Sequence, residues 1–221
     1  MKKLVLSLLL ISTVGFSQVE KAVGEFSKVT AFDKIDVYLI KADANKVVLK
    51  GKGTENIELV NNNGELKIRM SFGSMFQGDD VSATVYYNDI EAVEANEGSR
   101  ITSNEVFKTL NFDIIAKEGS EIQLQLDVER LKVKLLQGSI LKLAGTASNT
   151  DILINSGGKM HAKELFTEQT IITANTAGEA TINASQFVDA KVRAGGYIQI
   201  FGEPKQINQK VIAGGTIEQG K

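Results

Sequence analysis

Between Gly98 and Gln219 a glycine-led pair recurs seven times, each time followed by a run of alternating apolar residues. The pairs are Gly98-Ser99, Gly119-Ser120, Gly138-Ser139, Gly157-Gly158, Gly178-Glu179, Gly195-Gly196 and Gly214-Gly215. Their first glycines lie 21, 19, 19, 21, 17 and 19 residues apart. A period near twenty, sustained over this many units, marks a solenoid whose coils bury their apolar side chains by stacking on one another.

The units align on an apolar position three residues after the glycine, which holds Ile101, Ile122, Leu141, Met160, Ile198 and Ile217. Ile182 fills it one residue late, which predicts a small insertion or bulge after Gly178. Three residues before the glycine stand Ala95, Ala116, Leu135, Ile154, Asn175, Val192 and Val211. Each unit therefore reads as strand, tight glycine turn, strand and polar corner. The corners include Asp127-Val128-Glu129-Arg130, Thr146-Ala147-Ser148-Asn149 and Glu203-Pro204-Lys205. The single proline sits at a corner, where it forfeits no ladder hydrogen bond.

In a coiled chain, equivalent positions lie directly above one another, about 4.8 Å apart. Glycine supplies left-handed backbone angles at the turn, and the serine after it can bond the local backbone. Because parallel crossovers are right-handed, the expected fold is an all-β, right-handed parallel β-helix with rungs of 19–21 residues. The competing reading is an antiparallel sandwich with glycine hairpins. The two differ on whether Ile122, Leu141 and Met160 form one column.

Upstream, the pattern is β but not periodic. Ile35, Val37 and Leu39 share one face of a strand, and Lys46–Lys50 forms another. Asn63-Gly64 lies between the alternating runs Ile57–Val60 and Glu65–Met70, a strong hairpin signal because both residues tolerate positive φ. Residues 18–95 are thus expected to form a partly antiparallel N-terminal region, continuous with the repeats of residues 96–221. Ser71–Asp80 (SFGSMFQGDD) has no clean period and reads as a loop. Its Phe72, Met75 and Phe76 form either an exposed contact loop or a plug over the end of the stack.

The first residues read as a targeting segment. Met1-Lys2-Lys3 precedes the apolar run Leu4–Phe16, and Gly15 and Ser17 stand at −3 and −1 of a cut before Gln18. Thirteen residues are too few for a comfortable span, which needs about twenty. Residues 1–17 are therefore expected to be a signal peptide, placing the product in the periplasm, on the outer surface or in the medium. The chain has no cysteine, so disulfides and a lipoprotein anchor are excluded, and stability must come from burial and the hydrogen-bond ladder.

The opening motif Phe32-Asp33-Lys34-Ile35-Asp36-Val37, the segment Gly64-Glu65-Leu66-Lys67-Ile68 and the Gly-Ser/Gly-Gly repeats resemble the head GIN domain family of auto-transporter adhesins from Bacteroidetes-type bacteria. The resemblance spans essentially the whole chain after the signal segment. It implies an exported, solenoid-like all-β domain. Its motifs are turn and core motifs, so no functional residues are carried over.

Chemistry-bearing residues are sparse. A net charge of −2 argues against nucleic acid, which demands a basic stripe. His161 is the one histidine, so no zinc set or Cys–His pair can be assembled; it follows Met160 and should point outward. Asp79-Asp80 matches no calcium loop, and the acids Glu118, Glu121 and Asp127 alternate with lysines as on a solvated strand exterior. No catalytic, cofactor or metal residues are assigned. The expected function is a non-catalytic exported binding module for an envelope or extracellular protein or glycan. The alternative is a structural or sensory periplasmic domain without a small-molecule ligand. The open edge of the last rung raises a further expectation, homo-oligomers formed through it.

Overall fold

The computed structural model describes residues 19–220. The expected signal peptide, residues 1–17, lies outside the described residues. The strands run in chain order: β1 (Val19–Ala22), β2 (Lys28–Ala31), β3 (Asp36–Lys41), β4 (Lys46–Gly51), β5 (Ile57–Asn62), β6 (Glu65–Met70), β7 (Val81–Tyr87) and β8 (Ala92–Ala95). Then follow β9 (Arg100–Ala116), β10 (Glu121–Leu135), β11 (Ile140–Ile154), β12 (Lys159–Asn175), β13 (Glu179–Arg193), β14 (Gly196–Phe201), β15 (Gln206–Ile212) and β16 (Gly215–Gln219).

The strands β9 to β13 pair in parallel with their neighbours in sequence, one coil per strand. Their first halves continue a ladder that starts at β3 and ends at β14 and β16. Their second halves continue a ladder from β8 to β15. Parallel pairing also reaches back before the repeats, because β2 joins β6 to β8 and β3 joins β7 to β9. Beyond β6 and β7 the pairing turns antiparallel: β5 lies on β6, β4 on β7, and β1 on β4. The expected β-solenoid with a partly antiparallel start is the observed fold, and the sandwich reading falls.

Ile101, Ile122, Leu141 and Met160 stand in one register column, and all are buried. Burying a side chain of this size contributes roughly 1.5–3 kcal/mol each, so the columns are the main source of stability. The column continues through Ala180, Ile198 and Ile217, which corrects the placing of Ile182 in it; Ile182 pairs with Ile200. The reason lies in the turn. Gly178 occupies the second position of its pair, opposite Gly158, and the first is held by Ala177 at φ 57°. With Ala177 in place of Gly178, the spacings become 21, 19, 19, 20, 18 and 19. The expected bulge after Gly178 is likewise displaced: the register shifts in β12 fall at the corner, between His161 and Phe166 and between Thr167 and Gln169.

Each turn carries two successive left-handed residues, from Glu97-Gly98 to Ala213-Gly214. Asp33-Lys34 has the same geometry, at φ 58° and 64°, and starts the series one rung earlier without any glycine. At three turns a buried serine locks the stack. Ser99, Ser120 and Ser139 each accept a hydrogen bond from the N–H three residues earlier, at 3.1–3.2 Å. Each also donates to a carbonyl of the preceding rung, those of Ala31, Ala95 and Ala116, at 3.1, 2.8 and 2.9 Å. The following turns have glycine there because the rungs close up: a Cβ on Gly196 would meet the Ala174 carbonyl oxygen at 2.4 Å. The hairpin turn Asn63-Gly64 has positive φ at both residues and joins Asn62 to Glu65, as its sequence predicts.

A charged ladder ties the first rungs on the outside. Lys28 bridges Glu65 at 3.0 Å and Glu94 at 2.7 Å, and Lys117 reaches Glu94 at 2.7 Å. Burial pushes the Glu65 carboxyl up, but hydrogen bonds from Thr30, Lys28 and Lys67 outweigh it and hold the group down to about 2. Glu94 is also held below the usual carboxylate range, burial being outweighed by Lys117 and Lys28. A carboxyl depressed in the folded state adds stability above its unfolded pKa, near 4.3, and gives it up as pH falls through the folded value. The melting temperature should therefore drop between about pH 4.3 and pH 2, and Glu65→Gln should flatten part of that limb. Thermal melts of both proteins across this range check it.

Candidate functional site

The loop between β6 and β7 is built on one acid. Asp33 is buried, in the left-handed turn that opens the first rung. Its Oδ2 accepts the Met70 N–H at 3.0 Å, its Oδ1 accepts the Phe76 N–H at 2.9 Å, and its carbonyl accepts the Gly78 N–H at 3.1 Å. Ser71 N–H donates to the Asn56 carbonyl at 2.7 Å, fixing the near end. Two short 3-10 turns, Phe72–Ser74 and Gly78–Asp80, take up the slack. Glycine is required at 78, because a Cβ there would lie 2.3 Å from the Asp33 carbonyl oxygen.

With the backbone pinned inward, the apolar side chains point out. Phe72 is 91% exposed, Phe76 50% and Met75 40%. The plug reading does not describe this loop: none of Phe72–Ser74 is buried, and the end of the stack is covered instead by the antiparallel strands β4 and β5. Beside Phe76 lies a shallow depression of about 410 Å³ lined by Lys34, Glu97, Gly98 and Glu118. Burial and then the nearby Asp33 carboxylate push the Glu97 carboxyl up. The result is an aromatic shelf with an acidic border, relieved by Lys34, which lies 3.4 Å from Asp79.

A second surface follows the polar corner. A groove of about 470 Å³ crosses several rungs, with exposed Leu110 and Phe166 among Asp127, Glu129, Thr146 and Glu168. Its hydroxyls are partly committed already: Thr146 donates to Asp127, and Thr167 to the Asn183 carbonyl. Neither Leu110 nor Phe166 was singled out from sequence. Their signal is an apolar residue at a corner: neighbouring rungs carry Glu129 and Ser148 in the column of Leu110, and Asp127 and Thr146 in that of Phe166.

His161 is exposed on its strand, as expected, and Asp79 and Asp80 are exposed too. Among the described residues, no three of His, Asp and Glu gather where they could hold a metal ion. The carboxylates held below their usual range, Glu65, Glu94 and Glu121, owe this to hydrogen bonds and ion pairs along the strand exterior, and Glu97 alone among the shifted carboxylates is raised.

A family model described as "Putative auto-transporter adhesin, head GIN domain" matches residues 25–204. No curated protein matches the chain. Several crystal structures share its fold. One, described as a "putative adhesin" from Bacteroides fragilis, is 20% identical, with a TM-score of 0.87 over 94% of this chain and 98% of that one. A second, a "putative lipid binding protein" from Parabacteroides distasonis, is 13% identical, with a TM-score of 0.73 over 93% and 96%. A third, a "putative adhesin" from Parabacteroides merdae, is 18% identical, with a TM-score of 0.69 over 94% and 97%.

Proposed function

The chain belongs to the head GIN domain family, and from that premise we propose that it is a non-catalytic binding module of the cell envelope, exported by its N-terminal segment. The observation that carries this reading is the pinned loop. A near fully exposed Phe72 on a backbone held by three hydrogen bonds to Asp33 costs solvation without stabilising the fold. A rigid aromatic anchor loses little entropy when it docks, as interface hot spots require. Its partner is an envelope or extracellular protein or glycan that offers an apolar recess with a neutral or basic rim, to suit Glu97 and Glu118.

The test is the pair Phe72→Ser and Phe76→Ser in one protein. Exposed substitutions change stability by less than about 0.5 kcal/mol, so the melting temperature should move by no more than ~2 °C. Binding to whole cells or envelope fractions should be lost. A large fall in melting temperature, or unchanged binding, refutes the contact role. Fractionation with protease shaving of intact cells separates surface display from the structural or sensory periplasmic alternative.

A further inference from the structure

The two ends of the stack are finished differently. At the start, the edges are blunted: β1 has four residues and carries Glu20 and Lys21, and β5 ends in Asn61-Asn62. Short, charged or polar edges are how sheet proteins avoid pairing with other chains. At the finish, β15 pairs only with β13 and β16 only with β14 among the described residues. Seven residues of β15 and five of β16 thus present an unpaired row of backbone donors and acceptors. The core columns also end uncovered there. Val192 is fully buried, yet Val211, next in its column, is 52% exposed, and Ile207 and Ile217 are only half-buried. Charge does little to guard this edge: β15 carries Lys210 alone, and Glu218 of β16 is tied back to Tyr197 and Gln199 of its own stack.

We propose that this edge is a self-association surface whose occupant is a second copy of the chain, paired antiparallel through β15 about a two-fold axis at Gln209. The register with Val188, Ala190 and Val192 puts Ile207, Gln209 and Val211 on the inward face. A dyad at Gln209 sets Ile207 of each copy against Val211 of the other, with Gln209 against itself. On the outer face it sets Asn208 against Lys210 and Gln206 against Ile212. Every apolar inward residue meets an apolar one, and no like charges face each other, as favourable cross-strand pairs require. A two-fold contact pairs the β15 edge of each copy with that of the other, so it closes at two copies. Head-to-tail growth would instead need the blunted edges of β1 and β5.

The chain has no cysteine, so one engineered thiol reports this geometry cleanly. Residues facing themselves across an antiparallel dyad lie about 5 Å apart at Cα, within disulfide range. Gln209→Cys should therefore give a disulfide-linked dimer in air, and Gln206→Cys, distant from its own copy, should not. The unsubstituted protein should sediment at twice the chain mass, and Val211→Lys should halve that mass without loss of the folded β spectrum. A monomeric mass for the unsubstituted protein overturns the proposal, as does a dimer that survives Val211→Lys. Equal cross-linking at 206 and 209 also overturns it.

Discussion

Replacing Asp33 by alanine should destabilise the protein by roughly 3 kcal/mol, since hydrogen bonds to a charged group contribute about 1.5–3 kcal/mol and two are lost. For a domain of this size that is a fall of about 10 °C in melting temperature. The Met70 and Phe76 N–H groups lose their acceptors, and the left-handed angle at position 33 suits alanine less well than aspartate. The loop then has nothing holding Phe72 and Phe76 outward, so proteolysis should cut first within residues 71–78. Asp33→Asn keeps one acceptor and the tolerance for positive φ, and should recover about half of the loss. Calorimetry and limited proteolysis of the three proteins decide it. An Asp33→Ala protein as stable and as resistant as the original would mean that the loop is held by something else.

The second large effect is expected at Gly145, in the middle of β11. Its φ is +106°, and a Cβ there would sit 2.0 Å from the Leu126 carbonyl oxygen and 3.0 Å from the Leu126 nitrogen. No rotamer relieves a clash with backbone, so Gly145→Ala must prise β11 from β10 at the corner, costing at least about 3 kcal/mol. The turn glycines make the control. Gly119 and Gly138 have open space where a Cβ would go, and Ala177 already fills the equivalent position. Alanine there should cost only about 1 kcal/mol of left-handed strain. Denaturant midpoints for Gly145→Ala, Gly119→Ala and Gly138→Ala should show this order, and equal losses would contradict it.

Most of the stack was legible because its code is repetitive. A column such as Ile101, Ile122, Leu141 and Met160 needs only an apolar residue at a fixed offset from a turn. The errors arose where residue identity and structural position part. Ala177 adopts the left-handed geometry of a glycine, so counting from Gly178 slipped the frame by one and brought Ile182 into a column that Ala180 occupies. Asp33 stands within the motif that carries the family resemblance, but nothing local reveals that its carboxylate reaches residues 37 and 43 positions away. Gly145 was hidden for a similar reason: its necessity comes from a neighbouring coil. Exposure of the Phe72–Phe76 loop was undecidable from composition, since aromatic residues serve a core or a surface equally well.

The unequal finishing of the two ends gives assembly a direction. Near the amino terminus, the Asn63-Gly64 hairpin brings residues close in sequence together, and such local contacts form early. Every later coil must wait for the face on which it will lie, so growth follows the order in which the chain emerges. Among the described residues the coil of β14 to β16 is laid down late and has a neighbour on one side only, so whatever steadies it slows fraying of the stack from that end.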